Sequence, residues 1–154
     1  MHFETDTDGW SPQGPVTELT ELHAWSLLES RGFGRLALSM DDRPQIFPLN
    51  FVATGSTVVF RTGAGAKLRE LLHNRHVAFE ADEVNEEGAW SVVIRGLAEV
   101  LEDDQDIRAA DALPLPHWTP TLEYVYVRIT PTDIRGRRFE RHLRAERLVA
   151  GSAS

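Results

Sequence analysis

Short runs of alternating apolar and polar residues dominate this chain, and one helical stripe precedes them. Ala24, Leu27 and Leu28 recur at helical spacing, and Trp25 widens their apolar face. Thr20 stands where its hydroxyl can cap the first turn, Leu19 and Ala24 can form a hydrophobic staple, and Gly32 supplies the stop. Extended segments follow at Phe33 to Ser39, Gln45 to Ala53, Thr57 to Thr62, His76 to Asp82 and Ala89 to Leu101. A last one, Tyr124 to Ile129, is bent at Pro131 and resumes over Ile134 to Phe139. Asp41-Asp42-Arg43-Pro44 and Thr54-Gly55-Ser56 read as hairpin turns, and Glu83 to Glu87 as an acidic loop. Short helices are expected near Lys67 to Leu72 and Asp103 to Ala112, with Asp103 or Asp104 as cap. Pro114, Pro116 and Pro120 keep the next stretch irregular.

A period of two with one polar face suits antiparallel pairing better than a buried parallel sheet. The expected fold is therefore mainly β: a six-stranded antiparallel barrel, closed or nearly closed to hide its edges, with short flanking helices. Residues 1–18 read as a loose N-terminal arm, 19–140 as the single domain and 141–154 as a C-terminal tail.

Composition narrows the function classes. The 154 residues carry a formal net charge of -8, where a general nucleic-acid binder would show a basic excess. There is no cysteine, which removes disulfides, thiolate nucleophiles and Cys-ligated metals. No apolar run approaches the roughly 20 residues of a membrane span, and the acidic start lacks the pattern of a signal peptide. The expectation is a cytoplasmic protein without nucleic-acid or membrane partners. Of the 16 basic residues, Lys67 is the single lysine.

Lys67 falls in the most informative segment, Phe60-Arg61-Thr62-Gly63-Ala64-Gly65-Ala66-Lys67-Leu68. A strand ends in a cation and a hydroxyl, glycines let the backbone approach a ligand, and a helix then opens with its N–H groups outward. Each part suits a phosphate, although the Gly-Lys-Ser/Thr spacing of a P-loop is missing. An ordinary glycine turn with a solvated lysine has the same composition. Arg61 could equally pair with Glu80 on an adjacent strand, Asn50 could satisfy a strand end, and Trp90 could anchor a core or an interface. His73 and His76 are three apart but straddle a helix-to-strand transition with no third ligand evident, so no metal site is expected. Ser91 has no nucleophile elbow around it. The cluster Arg135, Arg137, Arg138, Arg141, Arg144 and Arg147 could meet a polyanion, an acidic partner subunit or solvent.

The ordered set of segments resembles the pyridoxamine 5'-phosphate oxidase-like family, in its small actinobacterial-type branch. Leu19-Thr20 with Leu27-Leu28, Gly34-Arg35-Leu36-Ala37, Pro48-Leu49-Asn50-Phe51, Phe60 to Leu68, Val77-Ala78-Phe79-Glu80, Trp90 to Gly96 and Arg128-Ile129 to Arg138 match in sequence, over roughly residues 19 to 139. The resemblance implies a split-barrel homodimer with two flavin sites at the interface. It implies that Arg61, Thr62 and Lys67 hold the FMN phosphate, and that backbone of Pro48, Leu49, Asn50 and Phe51 lies against the flavin ring. Trp90 and Ser91 would approach from the partner subunit, and Arg137 would stand near the ring edge. The implied activity is FMN-dependent oxidoreduction of an unknown small molecule, with no side-chain acid or base demanded. Pyridoxamine-phosphate oxidation itself is not implied, because no counterpart of its C-terminal substrate segment follows Phe139. The deazaflavin F420 is the alternative cofactor, with the arginine cluster meeting its acidic tail. A non-catalytic flavin or haem binder is the rival from another class; His73, His76 and His117 leave haem open.

Overall fold

The computed structural model describes residues 10–11, 14–63, 65–116, 123–140 and 147–150, with the side chains of Trp10, Ser11, Pro15, Ala66 and Lys67 outside the description. Two long strands form the spine. Strand β8 (Gly88–Val100) pairs antiparallel with β9 (Val125–Glu140) along their whole length, from Gly88 opposite Glu140 to Val100 opposite Val127. The far edge of β9 is shared by two partners. β6 (Val58–Thr62) lies along Val125 to Ile129, and β2 (Gly14–Leu19) along Gly136 to Phe139. Beyond β8 come β7 (His76–Asn85), β3 (Phe33–Met40) and β4 (Arg43–Asn50), each antiparallel to its neighbour. Strand β1 (Trp10–Ser11) extends β2, and β5 (Val52–Ala53) pairs with β6. The antiparallel sheet curls into a half-barrel.

Local chemistry explains the joints. The β3–β4 turn places Asp41 and Asp42 at φ of 51° and 63°, the left-handed pair that suits the twist of a two-residue hairpin. Asp tolerates that region better than most side chains do. A bulge between Arg95 and Gly96 faces Pro131, which has no N–H to give a ladder. The bulge also resets the alternation of β9. Val127 and Ile129 point into the curl before it, and Ile134 and Gly136 after it.

The main core fills the concave side. Leu36, Phe60, Phe79, Val92, Ile94, Val127 and Ile129 from the strands meet Ala24 and Leu28 of helix α1 (Glu21–Glu29). Thr20 caps α1 by accepting the His23 N–H at 3.2 Å. Replacing Thr20 with Ala should cost about 1 kcal/mol, read as a thermal midpoint lower by roughly 2–4 °C; an unchanged midpoint would show the cap to be redundant. A second cluster, Val59, Leu101, Ala110, Leu115 and Tyr126, lies on the opposite sheet face under helix α3 (Asp104–Asp111), whose cap is Asp103. Helix α2 (Ala66–His73) follows β6.

Three expectations change. The described residues form nine strands instead of six. Part of the arm is ordered as β1 and β2, and Phe51 breaks the second expected strand by donating its N–H to the Gly32 carbonyl at 3.0 Å, leaving β5 separate. The acidic loop is shorter than expected: β7 runs on to Asn85, whose side chain accepts from the N–H groups of Glu87 and Gly88 to make the turn.

Candidate functional site

Strand alternation divides the residues that the sequence groups together, because neighbours on a strand point to opposite faces. On β4, Pro48 is exposed and Asn50 half-buried, whereas Leu49 and, just beyond the strand, Phe51 are buried in the core. On β6, Arg61 is half-buried on the convex face and Thr62 is buried on the other, donating at 3.4 Å to the carbonyl of its neighbour Gly63. On β8, Trp90 packs into the core, and Ser91 points outward beside Arg137 of β9, its register partner. The convex face therefore gathers Pro48, Asn50, Ser91 and Arg137, with Arg61 further along it. Leu49, Phe51, Thr62 and Trp90 can reach that face through backbone only. Lys67 sits in the first turn of α2, and its side chain lies outside the described part.

Arg61 does not pair with Glu80 across adjacent strands, since the neighbours of β7 are β3 and β8. Its guanidinium lies over two rings, with Cζ 5.2 Å from the centroid of Tyr124 and 5.5 Å from that of Tyr126. Both distances are within the range of a cation–π contact. Its Nη1 donates to the carbonyls of Leu115 and Pro116 at 3.4 and 3.3 Å. Behind the rings, the Tyr126 hydroxyl donates to Asp111 at 2.6 Å. Burial, then this hydrogen bond, push the Tyr126 hydroxyl up to about 12, so it remains a donor at any ordinary pH.

Glu80 belongs to a different group. Arg35 of β3 donates to Glu80 at 2.7 Å and to Asp82 at 3.3 Å. Burial, and a hydrogen bond shared with Asp82, raise the Glu80 carboxyl to about 7, against the opposing pull of Arg35. Around this group, Ala37, Ala78, Ile46 and Val93 line a shallow depression of about 260 Å³. A wider groove of about 510 Å³ adjoins it, reaching His76, Arg95 and Asp133. Phe33, Ile46 and Val93 are exposed on the same face, at 51%, 68% and 39%. The face carries charge of both signs: Arg35, Arg95, Arg135 and Arg137 stand among Glu18, Glu80, Asp82 and Asp133, and Arg135 bridges to Glu18 at 3.3 Å.

The sequence did not single out Arg35, Asp82, Tyr124, Tyr126 or Asp111 as members of a site. Arg35 on β3 and the even-numbered Glu80 and Asp82 of β7 are a local signal of a polar face, but their meeting depends on register. His73 ends α2 and His76 opens β7, both exposed, and no group of three potential ligands gathers among the described residues. His117, Arg141 and Arg144 lie outside the described residues, and Arg147 is exposed. Among the described residues, no helix is long and apolar enough to cross a membrane.

Comparisons with known proteins agree with this architecture. An FAD binding protein from Mycobacterium smegmatis superposes with a TM-score of 0.72 at 41% identity, over 80% of this chain and 98% of its own. A FAD-binding protein from Mesorhizobium loti gives 0.66 at 25% identity, over 80% and 96%. An uncharacterized Mycobacterium tuberculosis protein is 31% identical over 135 residues, which is 82% of this chain and 88% of that relative. The profile of the pyridoxamine 5'-phosphate oxidase family matches residues 20–138, from the cap of α1 to near the end of β9. With the half-barrel, its spine and its capping helix all inside that span, the chain belongs to the pyridoxamine 5'-phosphate oxidase family.

Proposed function

We propose that this protein is a flavin-binding oxidoreductase that works as a homodimer, with FMN held between the convex faces of two copies. The observation that carries this reading is the make-up of that face. It combines exposed Phe33, Ile46 and Val93 with a balanced set of opposite charges, and it also presents Pro48, Asn50, Ser91 and Arg137. A second copy would cover the apolar residues and match the charges. It would also bring its own Ser91 and Arg137 toward the Pro48–Asn50 edge. Arg61 fits a phosphate in chemistry: it is a planar cation that lies over the Tyr124 and Tyr126 rings and donates to carbonyls at 3.3 and 3.4 Å. When bound, the flavin would supply the hydride and electron transfer, and the chain would bind, orient and shield it. The substrate is a small molecule, other than pyridoxamine phosphate. FAD is a second reading, favoured by the two similar structures described as FAD-binding.

The test is the visible spectrum of freshly purified protein, followed by titration of the colourless form with FMN, FAD, F420 and haem. A flavin spectrum is expected, with FMN affinity falling about tenfold or more in Arg61→Ala, as for loss of a charge-assisted hydrogen bond. Sedimentation of the same samples should show a dimer. A strictly monomeric protein that binds no flavin would overturn the proposal, and binding of F420 or haem alone would replace its cofactor.

A further inference from the structure

A tryptophan ring is easily buried, but its indole N–H usually finds an acceptor once inside. Trp90 is 7% exposed, and among the described residues none accepts from its N–H. That N–H is not sealed off either: among the described residues, the buried donors without a partner are Arg31 Nε and Arg61 Nε. It opens on a groove of about 850 Å³ at the turn end of the β7–β8 hairpin, which Trp90 lines with Leu27 of α1 and Phe139 of β9. In register, Trp90 lies between Glu83 of β7 and Arg138 of β9, so the three side chains share the concave face of the sheet. Glu83 is engaged by Arg31, whose Nη1 donates to it at 2.7 Å. Arg138 is exposed, and among the described residues its guanidinium has no ion pair or hydrogen bond.

Two donors side by side, one of them a cation, suit a carboxylate. The groove as a whole opposes a simple anion. With Glu83 neutralised by Arg31, the carboxylates of Glu86, Glu87 and Glu140 still outnumber Arg138 along its walls. A ligand with a carboxylate at Arg138 and an ammonium at the hairpin tip meets both demands. An apolar stem between the two ends suits Leu27, the Trp90 ring and Phe139. Glu87 is three residues from Trp90, at most about 10 Å along an extended chain, so the two charges stand several ångströms apart. We infer that this groove binds a small ω-amino carboxylate: Arg138 and the Trp90 N–H hold its carboxylate, and Glu86 and Glu87 hold its ammonium. The site opens on the concave side of the sheet, away from the convex face assigned to the flavin, and it does not depend on that assignment.

Three probes with the same stem separate the two ends: 6-aminohexanoate carries both charges, hexanoate the carboxylate alone and hexylamine the ammonium alone. Each should be titrated into the full-length, nitrogen-15-labelled protein while the indole N–H signals are followed by NMR; the chain has four tryptophans, and Trp90→Phe identifies the Trp90 signal by its loss. 6-Aminohexanoate should move that signal downfield and saturate it. Hexanoate should bind about threefold more weakly, as for loss of an exposed ion pair. Hexylamine should bind about tenfold more weakly, as for loss of charge-assisted hydrogen bonds, and leave the Trp90 signal in place. Arg138→Gln should weaken 6-aminohexanoate by about tenfold, and the double variant Glu86→Gln with Glu87→Gln should erase its advantage over hexanoate. Arg138 is exposed, so its variant decides the question if Trp90→Phe does not fold. A Trp90 signal that no probe moves would overturn the proposal. So would equal binding of all three probes, which is apolar contact alone, or hexylamine binding as well as 6-aminohexanoate, which is an acidic patch alone. An Arg138→Gln variant that binds 6-aminohexanoate like the wild type would overturn it too.

Discussion

Phe79→Ala should destabilise this protein by about 3–5 kcal/mol, the usual cost of removing a fully buried phenylalanine. At this chain length the thermal midpoint should then fall by on the order of 10 °C. Phe79 is 1% exposed and meets Phe51 edge to face, with ring centroids 4.7 Å apart. The opposite strand makes room for it: a Cβ on Gly34 would lie 2.6 Å from the Phe79 ring and 2.6 Å from the Glu80 carbonyl. The gap left by alanine is therefore bordered by backbone that pairs in register, Leu36 opposite Phe79, and cannot easily collapse. Phe51 would lose its partner at the point where the chain leaves β4, beside the Pro48–Asn50 edge. Urea and thermal unfolding followed by circular dichroism provide the check. A loss below about 1 kcal/mol would mean that the curl repacks around the gap.

Much of this core was legible in the sequence. Val77 and Phe79 alternate against Ala78 and Glu80, and the helix signals at Thr20 and Asp103 are local hydrogen-bond chemistry that the structure repeats. What stayed hidden depends on distant pairing. Gly14–Leu19 contains glycine and proline and has no strand pattern of its own; its order comes from β9, more than a hundred residues later. The division of the candidate site into two faces was implicit in the spacing, since Leu49 and Asn50, or Trp90 and Ser91, cannot point the same way on one strand. A family likeness groups such neighbours by motif, whereas the pleat separates them. The surroundings of Arg61 were not readable, because Leu115 and Tyr126 reach it from separate elements, and Asp111 of α3 in turn accepts from Tyr126.

Glu80→Gln should make the protein more stable than the wild type above pH 7 and leave it almost unchanged near pH 4. The Glu80 carboxyl titrates at about 7 in the folded chain, raised from 4.5, first by burial and then by its hydrogen bond with Asp82. The folded state therefore holds this proton more tightly than the unfolded state does. Stability must fall as the pH rises between those two values and level off above the higher one. Arg35 works against this, donating at 2.7 Å to Glu80 and gaining proton affinity from it, but it also serves Asp82 and is itself 46% exposed. The net direction for Glu80 is upward, since two adjacent carboxylates share one cation on a face lined with Ala37, Ile46 and Val93. Glutamine keeps an acceptor for Arg35 and removes the charge that burial opposes. Covering this face with a second copy would strip more water from Glu80 and steepen the same trend, so dimer dissociation should also rise with pH through neutrality. Unfolding midpoints at pH 4 and pH 8, with sedimentation on the same samples, separate the two effects. Parallel pH profiles for the wild type and Glu80→Gln would show that Arg35 dominates and that the carboxyl titrates as an ordinary surface acid.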